Sequence, residues 1–300
     1  KRMNAVTEQS LTRKTGSRAF KERMIVWLLG LSTLAIILPV IAIIYFLVRY
    51  GMKAISWEFL TQMPRNGMVE GGIMPAIVGT VYLVVGTILI AVPLGVMAAI
   101  YLSEYAGNGR FVRIIRLSLT NLAGVPSVVY GLFGLGLFVL LLRFDTSILA
   151  GSCTLALLVL PLVITAAEEA LRRVPNTLRE ASLALGATKW QTVKNVVLPN
   201  SWAGILTGII LAVGRAAGET APILFTAAVY YQVYVPRPTD AGFLREPVMA
   251  LPYHLYTITT QVVGAPAELQ WGTALVLLAL VLGMNSIAII IRARLRSKRW

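Results

Sequence analysis

The sequence predicts an all-α integral membrane protein with six transmembrane helices. Hydrophobic residues make up 57% of its 300 positions and charged residues only 13%. Mean hydropathy is +0.76, above the range of ordinary soluble domains. Six separate apolar runs are each long enough to cross a hydrocarbon core of about 30 Å.

The first run, Met24 to Val48, follows a stretch holding Lys1, Arg2, Arg13, Lys14, Arg18, Lys21 and Arg23. It is too long for the apolar region of a signal peptide and no small-residue cleavage site follows, so an uncleaved membrane helix is expected. The other runs cover about 75–103, 121–142, 148–171, 203–229 and 271–291. Pro39 and Pro93 fall inside the first two, where a missing N–H predicts kinks. The domain plan is a basic tail over 1–24, a six-helix membrane domain over 25–294 and a second basic tail over 295–300. Lys and Arg then divide twenty against six between the two faces, with Arg215 left inside a run. The excess marks the cytoplasmic side, so both termini are expected there. This distribution accounts for the net charge of +14 without nucleic-acid binding, and the basic ends are expected to face anionic lipid headgroups.

One cysteine, Cys153, and one histidine, His254, supply neither a disulfide framework nor a Cys/His metal site. No nucleophile, base and metal set suggests a membrane enzyme, so no catalytic residue is expected. The glycines of "YGLFGLGLF" (Gly131, Gly134 and Gly136) suit close helix packing. Pro126 and Ser127 read either as a break in the third run or as a plain helix start with proline in its first turn. Glu168 and Glu169, ending the fourth run beside Arg172 and Arg173, read as ordinary interfacial charges. The external segments 49–73 and 230–270 are long enough to fold back on the membrane or meet a partner. Within the second, Met249, Tyr253, Tyr256 and Thr260 have helical spacing, which suits a short interfacial helix or an aromatic-rich loop.

Between runs four and five lies "RRVPNTLREASLALGATKWQTVKNVVLPN", 172–200. Asn176 or Thr177 can cap a helix with Glu180 in its first turn, and Gly186 can end it in the left-handed conformation. A second helix can start at Thr188 with Trp190 and Val193 on one side, and Pro199 would bend the entry to the fifth span. Periodicity alone leaves two readings: an ordinary linker, or a projecting helix–turn–helix that another protein grips.

Glu180-Ala181-Ser182, then Gly186, then Val196-Val197-Leu198-Pro199 resemble the EAA motif of permease subunits in binding-protein-dependent ABC importers, with Ser182 and Val196 as mild departures. The resemblance implies a type I importer permease fold and gives Glu180, Ala181, Ser182 and Gly186 the role of a coupling helix that docks on a separate ATPase. The chain carries no G-x-x-x-x-G-K-[ST] sequence to cradle ATP, so no cofactor is expected on it and ATP would be used by the partner. The runs 71–107, 124–135 and 212–227 narrow the likeness to permeases of phosphate-specific importers. That implies a second homologous permease subunit, two ATPase subunits and an external phosphate-binding protein, in a bacterial cytoplasmic membrane. It also places Arg215, Glu219 and Thr220, within "RAAGETAP", on the substrate path.

Independently of the family, Arg215 and Glu219 at i and i+4 would share one helix face. A charge at mid-membrane costs about 2.5–3.5 kcal/mol on insertion scales, so it should face a partner or an aqueous cavity. The pair can be purely structural, or Arg215 can offer its forked donors to a phosphate while Glu219 holds it in position or pairs with a basic residue of the second permease. Sulfate and molybdate are tetrahedral oxyanions too. A stand-alone ion-coupled carrier could also use such a pair, but it would need no ATPase-docking loop.

Overall fold

A computed structural model describes residues 2–107 and 109–297, with side-chain surroundings for 19–107 and 109–294. The side chains of 1–18, within the basic tail 1–24, and of 295–300 therefore lie outside the described residues. The helices are α1 (Arg2–Gly51), α2 (Trp57–Thr61), α3 (Met74–Ile100), α4 (Arg110–Ala123), α5 (Ser127–Gly134), α6 (Ile148–Arg172), α7 (Asn176–Ala184), α8 (Lys189–Thr192), α9 (Leu198–Gly218), α10 (Ala221–Thr226), α11 (Leu251–Thr260) and α12 (Ala267–Ser297). π-helical segments extend α3 through Tyr101–Tyr105 and α5 through Leu135–Leu141, and Val193–Val197 joins α8 to α9.

Among the described residues, five helices are long and apolar enough to span: Ala19–Gly51, Met74–Tyr105, Ile148–Arg172, Lys189–Gly218 and Ala267–Arg294. The third apolar run is not a straight rod. α4 meets α5 and its π-helical extension at 104°, with Pro126 as the extended N-cap of α5, so the break is the reading that holds. α4 itself, most of which lies between the second and third runs, buries Val112 and half-buries Ile115 and Leu119 against the core. α1, α3 and α6 run on through Pro39, Pro93 and Pro161.

α6 is the most buried span and packs along α3, α9 and α5. Its contact with α9 is a small-residue seam: Gly204 lies on Ala170 and Gly208 on Ala166, and a Cβ on either glycine would come within 2.5 Å of the facing methyl. Gly131 likewise abuts the α10 backbone and Gly134 abuts Thr154, while Gly136 faces open space. The first two glycines of the predicted set thus serve packing, and the third does not. α1 and α12 contribute no buried residues to their spanning windows. They meet each other near Gly51, Trp271 and Leu275, an arrangement for lipid or another chain to cover.

The two external segments fold back on the bundle. A two-residue β-hairpin, β1 (Pro64–Arg65) and β2 (Glu70–Gly71), pairs antiparallel. Phe59, Met68, Ile73, Met249, Leu251 and Ile258 close a core cluster over it. α11 forms as a helix, but its buried face is Leu251, Tyr253, His254, Thr257 and Ile258. Met249 is buried ahead of the helix, and Tyr256 and Thr260 face outward. The aromatic spacing located the helix and misplaced its face.

Candidate functional site

The fifth apolar run breaks at its two charges. α9 ends at Gly218, Glu219 is extended (φ −77°, ψ 129°), and α10 restarts at Ala221 with Pro222 in its first turn. Arg215 and Glu219 are therefore not on one helix face: the arginine is in the last turn of α9 and the carboxylate in the break. They still meet, with Arg215 Nε donating to Glu219 Oε1 at 3.4 Å, a long contact that leaves the rest of the guanidinium fork unused. The Arg215 side chain is 34% exposed and that of Glu219 17%. The arginine also lies within electrostatic range of the Tyr130 phenol on α5, whose hydroxyl donates to the Leu122 carbonyl at 2.9 Å.

Glu219 borders a small cavity walled by Thr80, Leu83 and Val84 of α3, Leu155 of α6, Ala216 and Ala217 of α9 and Ile223 of α10. Thr220 is the N-cap position of α10 without a side-chain cap bond. It is half-buried beside Glu219, its carbonyl accepting from Leu224 N at 3.1 Å. Non-helical backbone within a span is tolerated only where it is buried in protein or lines a water-filled space. The break carries a partly exposed guanidinium and borders the small cavity, so it meets that condition.

The segment 172–200 folds as a helical hairpin. Pro175 caps α7, so Glu180 falls beyond its first turn, a correction to the expected start. Leu185 closes the helix and Gly186 takes φ +84°. Ala187 N–H reaches Ser182 O and Gly186 N–H reaches Leu183 O, at 3.2 and 2.9 Å, which is the Schellman arrangement. Thr188 then starts α8 in a capping box with Gln191. Ser182 and Thr192 hydroxyls meet at 2.9 Å and tie the two legs together. Glu180, Ala181 and Gly186 are exposed, as are Leu178, Leu183, Leu185 and Trp190. Trp190 faces outward whereas Val193 is buried, so the two do not share a side. The second leg runs without interruption into the span that carries Arg215, and Pro199 sits at the start of α9 within that continuous rod.

Sequence reasoning missed three side chains. Glu168 is not an ordinary surface charge: it is buried, receiving Arg116 Nε at 3.0 Å and Arg172 Nη2 at 2.8 Å. Glu169 and Arg173 do form the expected exposed pair. Glu104 and Arg179 form the most buried ion pair among the described residues, at 2.8 Å. The signal for it was an arginine directly preceding the EAA-like Glu180 and a lone carboxylate at the end of the second run. Groups of three or more metal-ligating residues are absent among the described residues.

Comparison with known proteins follows this geometry. A family model described as the binding-protein-dependent transport system inner membrane component matches residues 91–298. A phosphate transport system permease protein PstA of Mycobacterium leprae is 37% identical over 85% of this chain and 83% of its own length. The protein of that name from Methanocaldococcus jannaschii, described as probable, is 36% identical over 89% and 92%, and that from Yersinia pestis 34% identical over 98% and 97%. Among solved structures, a bacterial ABC transporter that imports the acidic polysaccharide alginate superposes with a TM-score of 0.63 at 16% identity, over 92% of this chain and 99% of the other. The MetNI methionine ABC transporter gives 0.55 at 17% identity, over 75% and 94%. These likenesses carry the fold, which is that of an ABC importer permease. With the family model covering most of the chain and relatives above 30% identity along nearly all of it, the chain belongs to the binding-protein-dependent transport system inner membrane components.

Proposed function

We propose that this multi-pass membrane protein is one of two permease subunits of an ATP-driven importer of inorganic phosphate, in a bacterial cytoplasmic membrane with both termini in the cytoplasm. The observation that carries the reading is the broken fifth span, with Arg215 half-exposed at the break and Glu219 beside it. Relatives named for phosphate transport share most of the chain with it. A second, homologous permease would complete the path, an external phosphate-binding protein would deliver the anion, and two ATPase subunits would bind and hydrolyse ATP.

Arg215 offers the anion forked, permanently charged donors. Its long bond to Glu219 leaves most of that fork available while the carboxylate keeps the side chain in place. The pairing also weakens the hold on an anion, which suits passage better than storage. Thr220 supplies a hydroxyl in the same break. At the basic end, the exposed tip of the hairpin, with Glu180, Ala181 and Gly186, would seat in the ATPase, and Ser182 would hold its two legs together. This chain would be the transport component, with ATP bound and hydrolysed by its partners.

The test is uptake of labelled phosphate at low external concentration in cells lacking the subunit, complemented with wild type, Arg215→Gln or Arg215→Lys at matched membrane levels. Losing one or two charged hydrogen bonds at about 1.5–3 kcal/mol each predicts a fall of at least about tenfold for Arg215→Gln. Arg215→Lys is expected to restore only part, because the fork is lost. Equal uptake by wild type and Arg215→Gln would return the pair to a structural role. Wild-type transport of sulfate or molybdate, with no phosphate uptake, would overturn the substrate.

A further inference from the structure

We propose that Glu104, Tyr105, Arg179 and Lys189 form a clamp through which the cytoplasmic hairpin drives α3 as well as α9, so that tilting the hairpin slides the two helices against each other. The inference rests on the reading of 172–200 as the ATPase-docking element.

The first jaw is Glu104, in the π-helical end of α3, held by Arg179 of α7. Arg179 Nη2 reaches Glu104 Oε1 at 2.8 Å and Arg179 Nε reaches Oε2 at 3.1 Å, a bidentate match of fork to carboxylate. The side chains are only 8% and 16% exposed. The guanidinium also donates to Leu171 O, in the last turn of α6, at 2.9 Å and to Val174 O just past its end. Asn176 Oδ1 accepts at 3.3 Å, and Ser103 Oγ donates to Glu104 Oε1 at 3.0 Å. One arginine thereby joins α3, α6 and α7.

The second jaw is the adjacent residue. Lys189 Nζ, at the start of α8, sits over the Tyr105 ring 4.9 Å from its centroid, within cation–π range. The end of α3 is therefore held by both legs of the hairpin, and the legs are fixed to each other through Ser182 and Thr192. A hairpin displaced as a unit must carry residues 104 and 105 with it or break a buried bidentate pair.

Two rods leave this clamp and converge again. The second leg continues as one helical run from Lys189 to Gly218 and delivers Arg215 to the break. The other rod runs back along α3 from Tyr105 to Thr80, about 37 Å at 1.5 Å per residue, where Thr80, Leu83 and Val84 wall the cavity beside Glu219. At that end Thr80 Oγ1 accepts from Leu251 N at 2.8 Å, which anchors α3 to the external segment. Tilting the hairpin slides one rod against the other at the Arg215–Glu219 pair. The four clamp residues act as positioning residues for transport, since none of them reaches the anion.

The experiment uses the complete transporter, with its ATPase and second permease subunits, in lipid nanodiscs and proteoliposomes. Spin labels are placed through Leu89→Cys on α3 and Leu211→Cys on α9, both exposed, in a Cys153→Ala background. The distance change on adding ATP reports relative movement of the rods without any cargo. Wild type is expected to show an ATP-dependent change. The Glu104→Gln/Lys189→Gln variant is expected to lose it and to lower uptake per ATP hydrolysed at least tenfold, and Lys189→Arg, which keeps the cation, is expected to behave as wild type. If the double variant fails to assemble, Tyr105→Leu tests the second jaw alone and should give a partial loss of both readouts. A double or Tyr105→Leu variant with the wild-type distance change and wild-type coupling would overturn the clamp. A wild-type ATP-driven change abolished in the variants, without phosphate uptake by any of them, would uphold the clamp and remove the substrate assignment. No ATP-driven change in a wild-type complex that hydrolyses ATP would remove the lever and the clamp together.

Discussion

Gly79 is the tightest point between α3 and the external segment, and adding one methyl there tests how firmly that contact is set. A Cβ at this position would lie 2.0 Å from the Met249 carbonyl oxygen and 3.0 Å from the Val248 Cβ. Ordinary C···O contacts are near 3.3 Å, so one side must retreat by about 1.3 Å. Neither side is free to do so. Val248 N–H bonds to Ala227 O at 3.1 Å, and Val248 O accepts from Val229 N at 3.0 Å. Leu251 N is held by Thr80 Oγ1 at 2.8 Å, one residue from the substitution. Overpacking in such a place costs about 1–3 kcal/mol, and stretching the Thr80 bond adds about 1 kcal/mol. At about 2–4 °C per kcal/mol for a chain of this size, Gly79→Ala should melt roughly 5–15 °C below wild type. Gly30→Ala, at a glycine with nothing within 4 Å, serves as the control. The assay is thermal unfolding of the purified chain in detergent, followed by tryptophan fluorescence. A Gly79→Ala melt within a degree of wild type and of the control would refute this account of the contact.

The remaining predictions concern groups away from the spanning helices. His254 on α11 is 2% exposed, neither ring nitrogen has a hydrogen-bond partner among the described residues, and burial lowers its pKa to about 4. The unfolded imidazole takes its proton near 6.5, so between these values the unfolded state binds more protons. The stability is fully present above about pH 6.5 and is lost as pH falls towards 4, by about 3 kcal/mol in all. Denaturation at pH 7.5 and 4.5 should show this slope in wild type and a shallower one in His254→Phe, and equal slopes would exclude His254 as its source. Gly186→Val puts a β-branched residue at φ +84°, which costs about 1–2 kcal/mol at the hairpin turn. Co-purification of the ATPase should weaken several-fold, with a fall in melting temperature of no more than about 2–8 °C, and undiminished co-purification would show that the tip is not the docking surface.

The parts of the fold that were legible in the sequence are those governed by local rules. Run length pointed to five continuous spans because backbone polar groups in lipid must be satisfied within a helix, although the fifth run, 203–229, overshoots a span that stops at Gly218. Gly186 and Thr188 announced a Schellman stop and a capped restart because few residue types can do either. What resisted reading depends on partners distant in sequence. α4 is the exception: Arg110, Arg113 and Arg116 recur at helical spacing among apolar residues, the pattern of an amphipathic helix, but the stretch is too polar to count as an apolar run. Glu168 looks like an i, i+4 surface charge until Arg116, 52 residues away, is folded over it. Glu104 and Arg179 are 75 residues apart, and nothing local to either one names the other.

The break in the fifth span had a local cause that hydropathy conceals. Pro222 has no N–H to donate, and its ring would clash with the carbonyl four residues back, which belongs to Gly218. An uninterrupted helix through 218–222 is therefore disfavoured, and glycine, the residue that resists leaving the helix least, stands where it stops. The interruption has an electrostatic consequence. The last carbonyls of α9 lose their intrahelical partners and leave partial negative charge at its end, with the Arg215 cation in that last turn and the Glu219 carboxylate just beyond it. The guanidinium is thus balanced from two directions by groups that the break itself supplies. An arginine on an unbroken apolar helix would face an approaching anion with its full charge and hold it. At this break the same side chain presents unused donors on a partly neutralised charge, the combination that the proposed passage of an oxyanion would need.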